Sequence, residues 1–463
     1  MKHIKRFLGF TCIALCSLQS FSSFAYSEEE TKIVAQLRDQ ALGSNLAYEI
    51  LESLTTEVGP RMAGTPQDAL AVKWGVEKFK ALGFDKVWTE PVTFDTWIRK
   101  SEAAEIVAPF KHQLNITALG FSVPTPDEGI EAEVIHFNTI EDLIEAEEGI
   151  ADGKIVFISR KMERFRDGKG YGPAVKARST GAVEAARKGA VAVVIRSIGT
   201  DSHRLPHTGM MRYKEGIKQI PAAAMSNPDA DLMLRIFERG KPVTMKLSLN
   251  SHAGPEYTSH NVIGEMTGSE FPDEKVIIGG HLDSWDLGTG AVDDGAGVAI
   301  TMAAAKIIGD AKVRPKRTIR VVLFANEEQG LVGAKAYGKA HANDIANHVT
   351  GAESDFGAGP IYAFSSNVAA DNMPVVHKMA KLMKPLGIEY VDNNAGPGPD
   401  LWPVYNAGMS VFSLKQDGTD YFDLHHTADD TLDKVKPENL AQNTAAYVVF
   451  AYLSANSEQK ISR

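Results

Sequence analysis

Beyond Tyr257 the chain alternates short apolar runs with helix-like segments, and this alternation constrains its fold more tightly than any other feature. The apolar runs cover 275–279, 318–325, 348–354 and 409–414, and helical spacing follows near 297–309, 331–340, 373–386 and 437–454. Such alternation predicts an α/β sheet with helices on both faces. In sheets of that kind ligands bind outside the carboxyl ends of the strands.

Polar residues that can bind metal stand at those ends, one set per strand. His281-Leu282-Asp283 follows the first run, and a glycine-rich loop leads on to Asp293-Asp294-Gly295. Asn326-Glu327-Glu328 follows the second run, Glu353-Ser354-Asp355 the third, and His425-His426-Thr427 lies beyond the last. Histidines with carboxylates make a nitrogen and oxygen ligand set, which suits zinc. A carboxylate has two oxygens and can bridge two ions, and metals about 3.5 to 4 Å apart clamp the attacking and leaving oxygens of a hydrolysis. Taken singly, His281 reads as a core histidine, Asp293 as a turn former beside glycine, and Glu327-Glu328 as charge favoured at a helix N-terminus. Five such pieces at successive strand ends point instead to one metal site.

These motifs, with Asn326-Glu327-Glu328-Gln329-Gly330, His426-Thr427 through Asp430-Thr431, Gly59-Pro60-Arg61 and Ala63-Gly64-Thr65, resemble the co-catalytic zinc aminopeptidase and glutamate carboxypeptidase family, in particular its carboxypeptidase Q-like branch and bacterial members. The resemblance implies the zinc exopeptidase fold, a mixed, mostly parallel sheet sandwiched by helices, with an inserted protease-associated-like domain. It implies two Zn2+ per chain, His281 and Asp355 on one, Glu328 and His426 on the other, and Asp293 bridging them. By the same likeness Glu327 is the general base, Asp283 hydrogen-bonds His281 to fix its tautomer, and the Asp293–Asp294 peptide is cis. The implied reaction is hydrolysis of dipeptides or short peptides, with aminopeptidase or carboxypeptidase direction open. Glutamate carboxypeptidases carry a tyrosine just before the last histidine ligand, whereas this chain has His425. The oxyanion donor is therefore His425, or Tyr421 in its place. Asp400, in Gly398-Pro399-Asp400-Leu401-Trp402, lines the substrate pocket or belongs to a turn made by Pro397 and Pro399. Two other functions share this fold: metal-free binding modules of the transferrin-receptor type, and one-zinc glutaminyl cyclases. The complete ligand set disfavours the first and the inserted segment the second.

Residues 1–25 read as a signal peptide. Lys2, Lys5 and Arg6 precede an apolar run from Phe7 to Leu18, and small residues lead to cleavage near Ala25. The run is shorter than the roughly 20 residues a spanning helix needs. Leu15 before Cys16 disfavours a lipoprotein, and both cysteines, Cys12 and Cys16, lie within the leader, so the mature chain has no disulfide. Losing the leader's cations takes the formal charge from −10 to about −13. Such an acidic chain is a poor partner for nucleic acid or an anionic membrane. The expected partners are short peptides, in the periplasm or outside the cell, with no membrane anchor after leader removal and with a homodimer left open.

The peptidase domain is expected in two parts, 26–124 and 251–463. The inserted domain spans 125–250, where short strands and helices alternate at 154–159, 181–188 and 190–195. Val72, Val76, Phe79 and Leu82 recur at helical spacing from Asp68 and stop at Gly83. Lys161, Arg164, Phe165, Arg166, Lys169 and Tyr171 read as a solvated loop first and a substrate-facing lid second.

Overall fold

The computed structural model describes residues 28–463. The expected leader lies outside them. The strands form two eight-stranded sheets.

The first sheet runs Lys86–Ile98, His252–Met266, Arg317–Phe324, Phe271–His281, His348–Glu353, Ser410–Gln416, Ile361–Asn367, Glu389–Tyr390. Its four middle strands, from Arg317–Phe324 to Ser410–Gln416, are parallel, and antiparallel pairs flank them on either side. The sheet is mixed and mostly parallel at its centre. Side chains alternate between the faces of a strand. Val276 and Ile278 pack with the helices Ala296–Gly309 and Pro437–Asn456, while Ile277 points the other way, to Ala334, Tyr337 and Leu401. Every residue of Arg317–Phe324 is buried, as a strand covered by helices on both faces must be.

The helix read from Asp68 runs from Pro66 to Ala81. Thr65 caps it by accepting from the Asp68 N–H, and proline stands at its first turn, where no intrahelical donor is lost. The second sheet is built from segments between residues 102 and 249 in the order His112–Leu114, Glu102–Ala108, Thr244–Leu249, Ile130–Phe137, Ile155–Ile158, Ala192–Arg196, Ala222–Met225, Ile116–Ala118. It takes in strands from 102 to 118, ahead of the expected boundary at 125. The long antiparallel pair Lys86–Ile98 and His252–Met266 carries the chain out of the first sheet and back. Helix Tyr171–Arg187 covers one face of the second sheet, packed on Val193 and Ile195, and helix Asn227–Glu238 covers the other through Met233 and Ile236. Among the described residues no helix is long and apolar enough to cross a membrane.

Beneath the first sheet a polar chain runs in one direction. Arg320 pairs with Glu265 at 2.7 Å and donates to the Tyr337 hydroxyl at 2.9 Å. That hydroxyl has one proton to give, and His348 Nε2 lies 2.9 Å away, while His348 Nδ1 lies 3.1 Å from the Asp344 carbonyl. The carbonyl can only accept, so Nδ1 carries the proton and Nε2 receives the tyrosine's: the ring is built neutral. Burial drives its pKa down to about 4 from 6.5. The unfolded chain thus binds a proton near pH 6.5 that the folded chain refuses until about pH 4, so stability rises with pH across that window, by up to ~3 kcal/mol. Urea denaturation from pH 4 to 7 should show a shallower pH dependence for His348→Gln than for the parent; equal slopes would contradict the neutral-ring account.

Candidate metal centre

The parallel strands end side by side, and that places the polar motifs around one point. His281 is the last residue of its strand. Glu327 and Glu328 follow Arg317–Phe324, and Asp355 lies two residues past Glu353. Asp293 comes from the turn before helix Ala296–Gly309, and His426 from the loop after Ser410–Gln416.

Two triads result. His281 Nε2 lies 3.1 Å from Asp293 Oδ1 and 3.5 Å from Asp355 Oδ1. His426 Nε2 lies 3.2 Å from Asp293 Oδ2 and 2.9 Å from Glu328 Oε2. Asp293 belongs to both and turns a different oxygen to each. Ligand atoms on a tetrahedron with bonds of about 2.0 Å stand about 3.3 Å apart, so these spacings suit a zinc ion in each triad. Donor chemistry agrees: Nδ1 of His281 donates to the Asp283 carbonyl at 2.9 Å and Nδ1 of His426 to the Thr208 carbonyl at 3.3 Å. Each ring then presents an Nε2 lone pair to its triad. Asp293 Oδ2 and Glu328 Oε1 are buried without a hydrogen-bond partner, as oxygens aimed at a cation would be.

Further acids hold these in place. The Asp283 carboxylate is 3.8 Å from His281 Nδ1, beyond hydrogen-bond reach. It accepts instead from the N–H groups of Glu327 and Glu328 at 3.0 and 3.4 Å, so only its carbonyl orients His281. Asp430 accepts from the N–H groups of Val292 and Asp293. Asp294 accepts from those of His281 and Gly297, both at 3.1 Å. A Cβ at Gly297 would stand 1.8 Å from the Ser354 carbonyl oxygen, so only glycine lets the helix start this close to the site. Arg61, fully buried, spans the glycine-rich loop by donating to the carbonyls of Leu282, Thr289 and Gly290. The peptide joining Asp293 to Asp294 is cis.

Glu327 stands apart from both triads and is half-buried at the edge of a cavity of about 270 Å³. Burial, eased by His281 and reinforced by Asp355 and Glu328, pushes its carboxyl well above the usual range. Tyr421 and His425 line the same cavity. Burial, then the charges of Asp293 and Asp355, keep the Tyr421 phenol protonated; burial, then His426, keeps His425 neutral. Asp400 is inside the protein, 1% exposed, and does not line that cavity. Burial and Glu353 raise its carboxyl well above normal, and Glu353 is itself pushed up to about 8 by burial and Asp355. Pro399 does reach the cavity, and Trp402 faces outward.

The second sheet brings residues that the sequence did not single out. His207, fully buried, stacks on His426 with centroids 4.7 Å apart, and its Nδ1 donates to the His425 carbonyl at 3.0 Å. Arg178 donates to His207 Nε2 at 2.6 Å. Both ring nitrogens are engaged, so the triad His207, His425 and His426 has no free ligand atom on His207. Thr208 exchanges a second bond with His426, donating its N–H to the carbonyl at 3.0 Å. The basic stretch read as a loop or lid is pinned to the first sheet. Arg164 pairs with Asp423 at 2.6 Å, and Arg166 pairs with Asp417 at 2.8 Å while lying 3.6 Å over the Tyr362 ring. Tyr171, at its end, stacks on Phe422 and lines the cavity.

Residues 261–451 match the model of peptidase family M28. Carboxypeptidase Q of Bos taurus is 34% identical over 439 residues, covering 95% of this chain and 91% of that protein. The crystal structure of a peptidase M28 precursor from Shewanella amazonensis SB2B is 53% identical, with a TM-score of 0.92 over 94% of this chain and 98% of that one. The zinc aminopeptidase BSAP from Bacillus subtilis shares the fold at 20% identity, with a TM-score of 0.65 over 90% of this chain and 97% of its own. With the motif at the strand ends and this likeness along nearly its whole length, the chain belongs to peptidase family M28 and is a zinc metallopeptidase.

Proposed function

We propose that the protein is an exported exopeptidase that hydrolyses dipeptides and other short peptides at a centre of two zinc ions, with Glu327 as general base. The observation that carries this reading is the pair of triads sharing Asp293, with one further carboxylate, Glu327, beside them and bound to neither. His281, Asp293 and Asp355 would hold one ion; His426, Glu328 and Asp293 the other. Zinc, when bound, acts as a Lewis acid on the scissile carbonyl and makes water acidic enough to attack near neutral pH.

The chain's own residues do the rest. Glu327 takes a proton from the attacking water and returns it to the leaving amine. Its pKa, raised by burial, makes it a better base than an exposed glutamate. Tyr421, holding its proton in the cavity wall, can donate to the oxyanion, and the neutral His425 beside it, its Nε2 3.4 Å from Asp293 Oδ2, is the other candidate donor. Tyr171 and Phe422 stack in the wall of the cavity, whose volume of about 270 Å³ suits a short peptide and not a folded protein. Export follows from the leader read at residues 1–25.

Glu327→Gln should retain the parent's zinc by elemental analysis while losing at least about 10²-fold in kcat on an unblocked dipeptide. Loss of zinc in that variant would make Glu327 a ligand and sink the assignment. Tyr421→Phe should lower kcat about 10²-fold with little change in KM. If His425→Gln has that effect and Tyr421→Phe does not, the oxyanion donor is the histidine. Efficient cleavage inside a long peptide blocked at both ends would refute exopeptidase action.

A further inference from the structure

Five side chains make up the two triads, and four of them are held from within the part of the chain that builds the first sheet. The Asp283 carbonyl orients His281, Asp430 holds the Asp293 amide, Asp283 holds the Glu328 amide, and Asp355 lies two residues past strand His348–Glu353. His426 is different. Its Nδ1 donates to the Thr208 carbonyl at 3.3 Å, and its own carbonyl accepts the Thr208 N–H at 3.0 Å. Thr208 belongs to the segment that joins two strands of the second sheet, Ala192–Arg196 and Ala222–Met225. Its hydroxyl is fixed in turn, donating to the Ala118 carbonyl and accepting from Arg99, both at 2.9 Å. One candidate ligand of the first sheet is therefore oriented by the second.

The backbone at His426 needs such a hold. Its φ is +60°, a left-handed conformation that is disfavoured for a residue with a Cβ and persists where the surroundings over-determine it. His207, beside Thr208, completes the hold. It is fully buried, its backbone N–H donates to the Ser197 hydroxyl at 2.8 Å, and its Nδ1 donates to the His425 carbonyl at 3.0 Å. Its ring stacks on His426 with centroids 4.7 Å apart and planes 19° apart. Arg178 donates to His207 Nε2 at 2.6 Å. A guanidinium can only donate and a carbonyl can only accept, so these partners place the proton on Nδ1 and the lone pair on Nε2. Neither nitrogen is left for an ion, and His207 acts on the centre through His426 and the peptide before it. No other side chain combines an edge donor, an edge acceptor and a stacking face in one aromatic ring.

We propose that His207 is the positioning residue for His426, so that the second sheet sets the zinc affinity of the triad His426, Glu328 and Asp293 but not that of the triad His281, Asp293 and Asp355. This rests on the two-zinc reading above and adds an asymmetry between the two ions. The stacked ring stops His426 from tilting. The bond to the His425 carbonyl keeps the preceding peptide from relaxing the left-handed backbone. With both in place, His426 Nε2 faces Asp293 and Glu328 before an ion arrives.

Calorimetric titration of zinc into the metal-free full chain tests this without turnover. His207→Phe keeps a flat ring and loses both ring hydrogen bonds. One of the two binding events should weaken at least about 10-fold, the scale of losing a group that orients a metal ligand, while the other keeps the parent's affinity. The unaffected event also shows that the variant is folded. Removing one triad at a time assigns the affected event: His207→Phe should weaken zinc binding when combined with Asp355→Ala, and should leave it unchanged when combined with Glu328→Ala. His207→Asn, whose amide N–H falls near the place of Nδ1, should recover part of the loss. Weakening of both events alike, of neither, or of the His281 triad alone would overturn the inference while leaving the two-zinc reading intact. If His207→Phe does not fold, the same comparison on His207→Asn decides, with a loss at the His426 triad alone as the supporting result. A parent that binds a single ion overturns the two-zinc reading and this inference with it.

Discussion

Sharing Asp293 between two histidine-containing triads is the constraint on which the rest of the structure depends. Its two oxygens face His281 on one side and His426 on the other, with Asp355 and Glu328 closing the triads. Carboxylates this close repel one another, and burial strengthens the repulsion. The fold answers with a second set of acids that brace the backbone of the first. Asp283 holds the Glu327 and Glu328 amides, Asp430 holds those of Val292 and Asp293, and Asp294 ties the His281 strand to the helix at Gly297. Backbone N–H groups favour the charged form of such acids, but burial outweighs them here and raises all three carboxyls, Asp430 to about 7 and Asp294 well above the usual range. The bracing is the preorganisation a metal centre needs: ligand atoms fixed before the ion arrives.

The two sheets divide the work. The first supplies every candidate ligand from the ends of its parallel strands and the turns beyond them. The second supplies the carbonyl of Thr208 that orients His426, the His207 ring stacked on it, and the cavity wall at Tyr171 and Arg178. Arg164 and Arg166 fasten the two through Asp423 and Asp417. Exposed ion pairs are individually weak. The Arg166 stack on Tyr362 and the reach of Arg164 to both Asp420 and Asp423 give this seam more than isolated pairs would.

Much of the first sheet was legible because buried parallel strands are continuous apolar runs and their ends carry polar motifs. His281, Asp293, Glu328, Asp355 and His426 could be found together for that reason. The second sheet was harder to read. Its first strands, such as His112–Leu114 and Ile116–Ala118, are three residues long and too short for periodicity to register. Helix Tyr171–Arg187 was read only over its last turns, because Gly172 and Pro173 obscure its beginning. Arg178 and His207 left no local signal, since their meaning comes from a contact between sheets that no spacing along the chain encodes. Asp283 was recognised, but its task differs. Sequence indicates which residues reach a site, whereas the choice between a carbonyl and a carboxylate as the acceptor for His281 depends on a side-chain rotamer.

The central claim is that one aspartate serves two ions, and zinc binding to metal-free protein tests it most directly. Isothermal titration should return two zinc ions per chain for the parent, and Asp293→Ala should weaken both binding events together. One ion per chain in the parent, or an Asp293→Ala variant that keeps one site at full affinity, would contradict the shared centre.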